Sequence, residues 1–167
     1  MRIVSPAVRV LVVGALLFGG ARAGELPADP VEDFVRNAIP GLAQMTVADA
    51  GKLGALRKMT SQKYPSDWVE GAQVEIRTLV FDGAELRFAV HEGRRDFLVG
   101  ATFTGTRWKL RGGLAVGVRK EAVLKVLGPK QQEGKVLAYT SNEAPHFAVF
   151  TVEAGVVTRI ELTPYTG

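Results

Sequence analysis

From Val74 to the C-terminus, apolar residues recur at every second position, in short runs separated by turn-forming residues. That period restricts the chain to antiparallel sheet with one face packed and one face wet. Val74, Ile76, Thr78 and Val80 alternate with Glu75, Arg77 and Leu79, and Asp82-Gly83 then marks a two-residue hairpin turn. Leu86, Phe88 and Val90 alternate with Glu85 and Arg87, His91-Glu92-Gly93-Arg94-Arg95 is a polar turn, and Phe97, Val99, Ala101 and Phe103 form a third strand face. Three further strands are expected over about Lys135–Thr140, His146–Val152 and Val156–Thr163, with Glu153-Ala154-Gly155 turning between the last two.

Helical spacing occupies the gaps. Asp29 followed by Pro30 is a helix start, a capping side chain and then proline at the first helical position. Glu32 and Asp33 sit where the helix dipole favours negative charge, Val31, Phe34, Val35 and Ala38 form an apolar stripe, and Pro40-Gly41 stops it. A second helix is expected from Thr46 to about Met59, with Val47, Ala50, Leu53 and Leu56 buried and Gly51 and Gly54 weakening it. Thr60–Ala72 then reads as a loop and Arg107–Gly113 as a basic linker. A third, short helix over Val118–Leu127 ends at Gly128-Pro129, with the glycine expected in the left-handed conformation.

The two halves can be superposed in sequence. A helix ends near Leu53-Gly54 in one and at Leu127-Gly128 in the other, Glu85–Val90 falls against Pro145–Phe150, and Phe97–Thr104 falls against Val156–Thr163. The expected fold class is therefore α+β, with two tandem units, each a helix followed by three antiparallel strands. The divisions are 1–23, a signal peptide; 24–45, a leader and first helix; 46–106, the first unit; and 107–167, the second.

Leu114-Ala115-Val116-Gly117-Val118-Arg119-Lys120-Glu121-Ala122-Val123-Leu124-Lys125-Val126-Leu127-Gly128-Pro129 is the most recognisable stretch. It resembles the repeated element of the β-lactamase inhibitor protein (BLIP) family and of the small outer-membrane assembly lipoproteins of the SmpA/OmlA kind. Val136–Tyr139 and Phe147–Leu162 match the later strands of that element. The resemblance covers 112–163 well and 46–104 loosely, and it implies a BLIP-like tandem architecture. The chain departs from the lipoproteins in lacking the lipid-bearing cysteine and from the inhibitors in lacking disulfides. No functional residue is carried over from either group.

The N-terminus carries an address. Arg2 and Arg9 precede an unbroken apolar stretch, Val10–Phe18, and Ala21-Arg22-Ala23 has the small-x-small pattern of a cleavage site. This is the pattern of a secretory signal peptide, with an apolar region too short to span a bilayer. No later stretch is long and apolar enough to span one either. The expected location is the periplasm or the cell exterior, with the chain soluble after cleavage at about Ala23/Gly24. Beyond that point 18 Lys and Arg face 17 Asp and Glu, so the formal charge of +4 falls to +1. The excess of base is concentrated in 87–135, where 11 basic residues face 4 acidic ones.

Little of the sequence points to chemistry. With no cysteine there is no thiol nucleophile, Cys-ligated zinc or redox CxxC. His91 and His146 stand alone, without HExxH or HxH, and read as surface or edge residues. Ser61, Ser66 and Ser141 lack a GxSxG or SxxK context, and no phosphate loop is present. Two binding candidates remain. The first is the aromatic loop with Tyr64 and Trp68, residues able to anchor a protein partner. The second is a basic row, Arg107, Lys109 and Arg111 on one side of an extended segment with Trp108 on the other, joined by Arg94 and Arg95.

The function expected is that of a non-enzymatic protein-interaction module, an inhibitor or assembly factor, without cofactor or metal. Its partner would be an envelope or secreted protein rather than nucleic acid. An alternative is a binder of anionic lipid or glycan through the basic row, and a third reading is a small cofactor-free hydrolase. The address predicts that chain recovered after export starts at Gly24. Intact-mass measurement checks this, and a mass retaining 1–23 would contradict it.

Overall fold

The computed structural model describes residues 29–65, 71, 73–91, 93–142 and 144–164. The expected signal peptide, Trp68 and Ser66 lie outside them. Helix α1 (Pro30–Asn37) is followed by a 3-10 turn at Leu42–Gln44 and by the one-turn helix α2 (Val47–Ala50). Four strands follow, β1 (Lys58–Pro65), β2 (Gln73–Phe81), β3 (Ala84–Val90) and β4 (Phe97–Phe103). After helix α3 (Lys120–Leu127) come β5 (Val136–Thr140), β6 (Phe147–Glu153) and β7 (Val156–Thr163).

All seven strands form one antiparallel sheet in the order β1-β2-β3-β4-β7-β6-β5. The expected tandem of helix-plus-three-strand units is therefore overturned: a single, mainly β layer replaces it. Two meanders meet where β4 pairs with β7, at Ala101↔Leu162, Thr102↔Glu161 and Phe103↔Ile160.

The second helix accounts for most of the difference. It was expected from Thr46 to about Met59 but closes at its Gly51 cap after one turn. Its start is well made: Thr46 and Asp49 form a reciprocal capping box. Continuing through Gly51 and Gly54 would cost roughly 1 kcal/mol at each relative to alanine. The residues after it gain a ladder of backbone bonds instead, as Lys58–Pro65 pairs residue for residue with β2. What was expected as helix end and loop is thus a fourth strand of the first meander.

The hairpin readings hold. Phe81 pairs with Ala84 across Asp82-Gly83. Gly83 has φ +69, and a Cβ there would sit 2.4 Å from Cα of Gly105, so two backbones cross without room for a side chain. Gly128 ends α3 with φ 91 and ψ 170: the positive φ that favours glycine is there, but the ψ lies outside the expected left-handed helical cap. Tyr139 Oη donates to its carbonyl at 3.0 Å.

Alternation sorts the sheet into two faces. Leu79, Phe81, Leu86, Phe88, Leu98, Phe103, Ile160, Leu162, Phe150 and Leu137 all point inward and are buried. Over them lie Val31, Phe34 and Val35 of α1 and Val123 and Leu127 of α3, with Trp108, Leu110 and Leu114 from the connection between β4 and α3. Helix α1 packs on β5, β6 and α3. The helices are too short to be stable alone, so this contact with the sheet sustains them. Phe34 and Phe150 meet at 6.1 Å between ring centroids and anchor the layer.

Gly83→Ala forces both a backbone clash and a strained φ. It is expected to destabilise the chain by about 2 kcal/mol or more. Urea unfolding beside a Gly134→Ala control, where φ is +59 but a Cβ meets nothing within 4 Å, checks this and separates the clash from the strain.

Candidate functional site

Three buried polar side chains stand out among the described residues, Asp29, Ser141 and His146, and the fold brings them together. One carboxylate oxygen of Asp29 caps α1, accepting from the backbone N–H of Val31 at 2.8 Å and of Glu32 at 3.2 Å. Its other oxygen accepts from the backbone N–H of Asn142 at 2.7 Å, in the connection between β5 and β6. The Ser141 hydroxyl also bonds to Asp29. The backbone N–H of Ser141 bonds in turn to the carbonyl of His146 at 3.0 Å. His146 Nε2 lies 3.9 Å from a carboxylate oxygen of Glu32.

The electrostatics follow from these partners. Burial acts most strongly on Asp29 and raises its pKa, but the bonds from Asn142, Val31, Glu32 and Ser141 together outweigh it and hold the carboxyl below its ordinary value. Burial is also the largest influence on His146 and lowers its pKa, against the opposing pull of Glu32. Serine, histidine and aspartate are the residue types of a hydrolytic triad. Here the serine is bonded to the aspartate, and the histidine lies beside a different carboxylate, that of Glu32. The cluster is a clamp fastening the start of α1 to the β5–β6 connection. The expectation that His146 lies at the surface is corrected, since it is 4% exposed. Its parity explains why: His146 continues the inward row of Ala148, Phe150 and Val152, and Ser141 that of Leu137 and Tyr139.

The basic row is divided by the fold. Arg94 and Arg95 precede β4 and Arg107 follows it, so a strand of about 24 Å separates them. The guanidinium of Arg95 donates to the carbonyl of Gln44. The segment 107–111 is not a strand, yet its burial alternates as expected, with Arg107, Lys109 and Arg111 exposed and Trp108 and Leu110 buried. Arg107 lies over the Trp108 ring, 5.1 Å from its centroid, and Arg111 pairs with Asp33 at 2.8 Å. Lys109 and Arg111 border a shallow open groove with Asn37, Ala38, Pro40 and Leu110. Trp108 stands 5.8 Å from both Phe81 and Phe103 and donates its indole N–H to the carbonyl of Asp82 at 2.8 Å. It is a core residue tying the linker to the β2–β3 turn.

Tyr64, by contrast, is 43% exposed on β1. His91 stacks on Phe97 at 5.7 Å, beside the β3–β4 turn. Among the described residues no group of His, Asp and Glu is placed to hold a metal ion. No described helix is long and apolar enough to cross a membrane.

The largest surface feature is the sheet's second face. Val74, Ile76, Val80, Phe97, Phe147 and Val149 share it with Glu85, Arg87, Arg159 and Glu161. Arg159 and Glu161 pair at 2.8 Å. The guanidinium of Arg87 folds over Gly100, where a Cβ would come within 2.8 Å of it. Apart from Ala89 and Gly100, the residues of this face are half-buried or exposed. The sequence analysis missed it as a site because Val74, Ile76, Val80 and Phe97 were read as the apolar, packed side of their strands, whereas Leu79, Phe81 and Leu98 are the ones turned into the core.

The fold and its open face define a one-layer antiparallel sheet with a helical cover on one side. Comparison of the chain with protein-family models, with curated proteins and with solved structures finds no match.

Asp29→Ala removes a helix cap worth about 1 kcal/mol and leaves the Asn142 N–H without its acceptor, so a loss of about 2–3 kcal/mol is expected in urea unfolding at neutral pH. Both Asp29 and His146 have lowered folded-state pKa values, so each stabilises the chain at high pH and is lost on acidification. The His146 contribution declines as pH falls below about 6.5, its unfolded value, and the Asp29 contribution only below about 4. Unfolding curves at stepped pH check the order, and Asp29→Ala should shrink the lower step, to which the lowered Asp49 and Glu75 carboxyls also contribute, more than the upper one.

Proposed function

We propose that the chain is a non-enzymatic interaction module of the periplasm or cell exterior, which engages an envelope or secreted protein through the open face of its sheet. The observation that carries this reading is that a seven-stranded sheet has one face packed and the other left uncovered by any described element. Seven strands span about 29 Å across and about 24 Å along the strand direction, roughly 700 Å². A partner in a specific complex of ordinary size buries about 800 Å², so this face alone approaches the requirement.

Its composition also supports the reading. Apolar side chains on β2, β4 and β6 alternate with charged ones on β3 and β7, so burial and register are supplied together. Phe147, 39% exposed, is the largest apolar side chain standing clear of the face near its β5 end. The divided basic row gives less support to the lipid or glycan alternative, because Arg111 and Arg95 are engaged within the fold.

The test places a photo-reactive residue at Phe147 or at Ala138, both on the open face, or at Lys125 on the exposed side of α3. The exported chain is then irradiated in an envelope extract. One species crosslinked from Phe147 and Ala138 at high salt, and not from Lys125, is the expected result. Equal labelling from all three sites, or none from the open face, rejects the reading. Capture on anionic vesicles that is lost at high salt replaces it with the lipid-surface alternative.

A further inference from the structure

Strand β1 is the element least used by its own fold. All eight of its residues are exposed. Among the described residues it is bonded to β2 on one side only, so every second backbone N–H and C=O along its other side is open to a further strand. Of the four large apolar side chains exposed among the described residues, Leu56, Met59 and Tyr64 lie on β1 or just before it. Met59 and Tyr64 point to opposite faces, being opposite Leu79 and Val74.

The charge of this edge is one-sided. Arg57, Lys58 and Lys63 fall within 56–65, and no acidic residue does. Glu75 is opposite Lys63, but its oxygens are held by Arg77 at 2.7 Å and by the Ser61 hydroxyl at 2.5 Å. Lys58 and Lys63 form no salt bridge among the described residues, and Arg57 meets Asp82 at 3.2 Å in an exposed pair.

We infer that β1 is an acceptor edge for an extended acidic segment of a partner protein, which adds an eighth strand to the sheet. The inference rests on the interaction-module reading and specifies the chemistry of the partner. Charge selects the occupant. Two copies of this chain paired edge to edge would set three cations against three, with no carboxylate in either strand, and like charges facing across a ladder oppose pairing. Lys58 and Lys63 point to opposite faces, being opposite Val80 and Glu75, so a strand carrying Asp or Glu at alternate positions meets one of them on whichever face its carboxylates take, while its backbone supplies the ladder bonds. Its apolar residues meet Met59 on one face or Tyr64 on the other. Pro65 lacks a donor and closes the site after eight residues.

The probes are three synthetic octapeptides. One alternates Glu with Val and Thr, one carries Lys in place of Glu, and one is the acidic peptide N-methylated at alternate amides. The readout is amide hydrogen exchange along the exported chain. The acidic peptide is expected to slow exchange across Lys58–Pro65 by about tenfold or more at saturation, while the other two leave it unchanged. The double variant Lys58→Glu/Lys63→Glu changes only exposed side chains. It should lose the acidic peptide and gain the lysine peptide. Protection outside β1, equal protection by both charged peptides, or no protection by any of them overturns the inference. Protection that rises with chain concentration alone does so too, and assigns the edge to a second copy. Crosslinking from Phe147 that persists while β1 stays unprotected removes only the acceptor edge. Loss of both removes the interaction-module reading as well.

Discussion

The pairing of β4 with β7 holds the molecule together. Three registered pairs, from Ala101↔Leu162 to Phe103↔Ile160, join a meander built early in the chain to one built at its end. Each meander alone has one apolar face and only fragments of a cover. Joined, they present a single inward surface on which α1, α3 and the 107–114 segment can all pack. The burial of about thirty apolar side chains depends on that junction, since the cover packs on residues of both meanders.

The cover is assembled from pieces that need fastening. Helix α1 is two turns long and is held at its start by Asp29, which serves as cap and as cross-link to Asn142 with one carboxylate. At the other side the irregular 107–114 segment is held by Trp108, whose ring lies against Phe81 and Phe103 and whose N–H reaches the β2–β3 turn. A charged clamp and an aromatic wedge thus do for this small layer what longer helices do in larger domains. The open sheet face and the β1 edge are the accessible features that the described residues leave outside this packing.

Much of this was legible because local chemistry and tertiary structure agree. Asp29-Pro30 reads as a helix start and is one. Asp82-Gly83 reads as a hairpin turn and is one. Alternation from Val74 onward identified six strands because each has one dry face to record in its sequence. Lys58–Pro65 has none: both of its faces are wet, so its sequence carries no period, and it is a strand only because the far edge of β2 offers hydrogen bonds. The clamp was half legible. Asp29 was visible as a cap, but its bond to Asn142 spans 113 positions and has no local signature. Ser141 lacks a nucleophile motif and His146 a metal-ligand spacing, so neither carries a signal of its own, although their parity with the buried rows on β5 and β6 places them on the core side.

The strand order has a consequence in time. The last strand in sequence, β7, is an interior strand of the sheet, paired on both sides. During synthesis at about 5–20 residues per second, the first meander waits several seconds with its apolar face bare before Ile160 and Leu162 emerge to close the seam. The chain therefore cannot complete its core piecemeal from the N-terminus. A polypeptide built this way keeps its two meanders apart until β7 has been made.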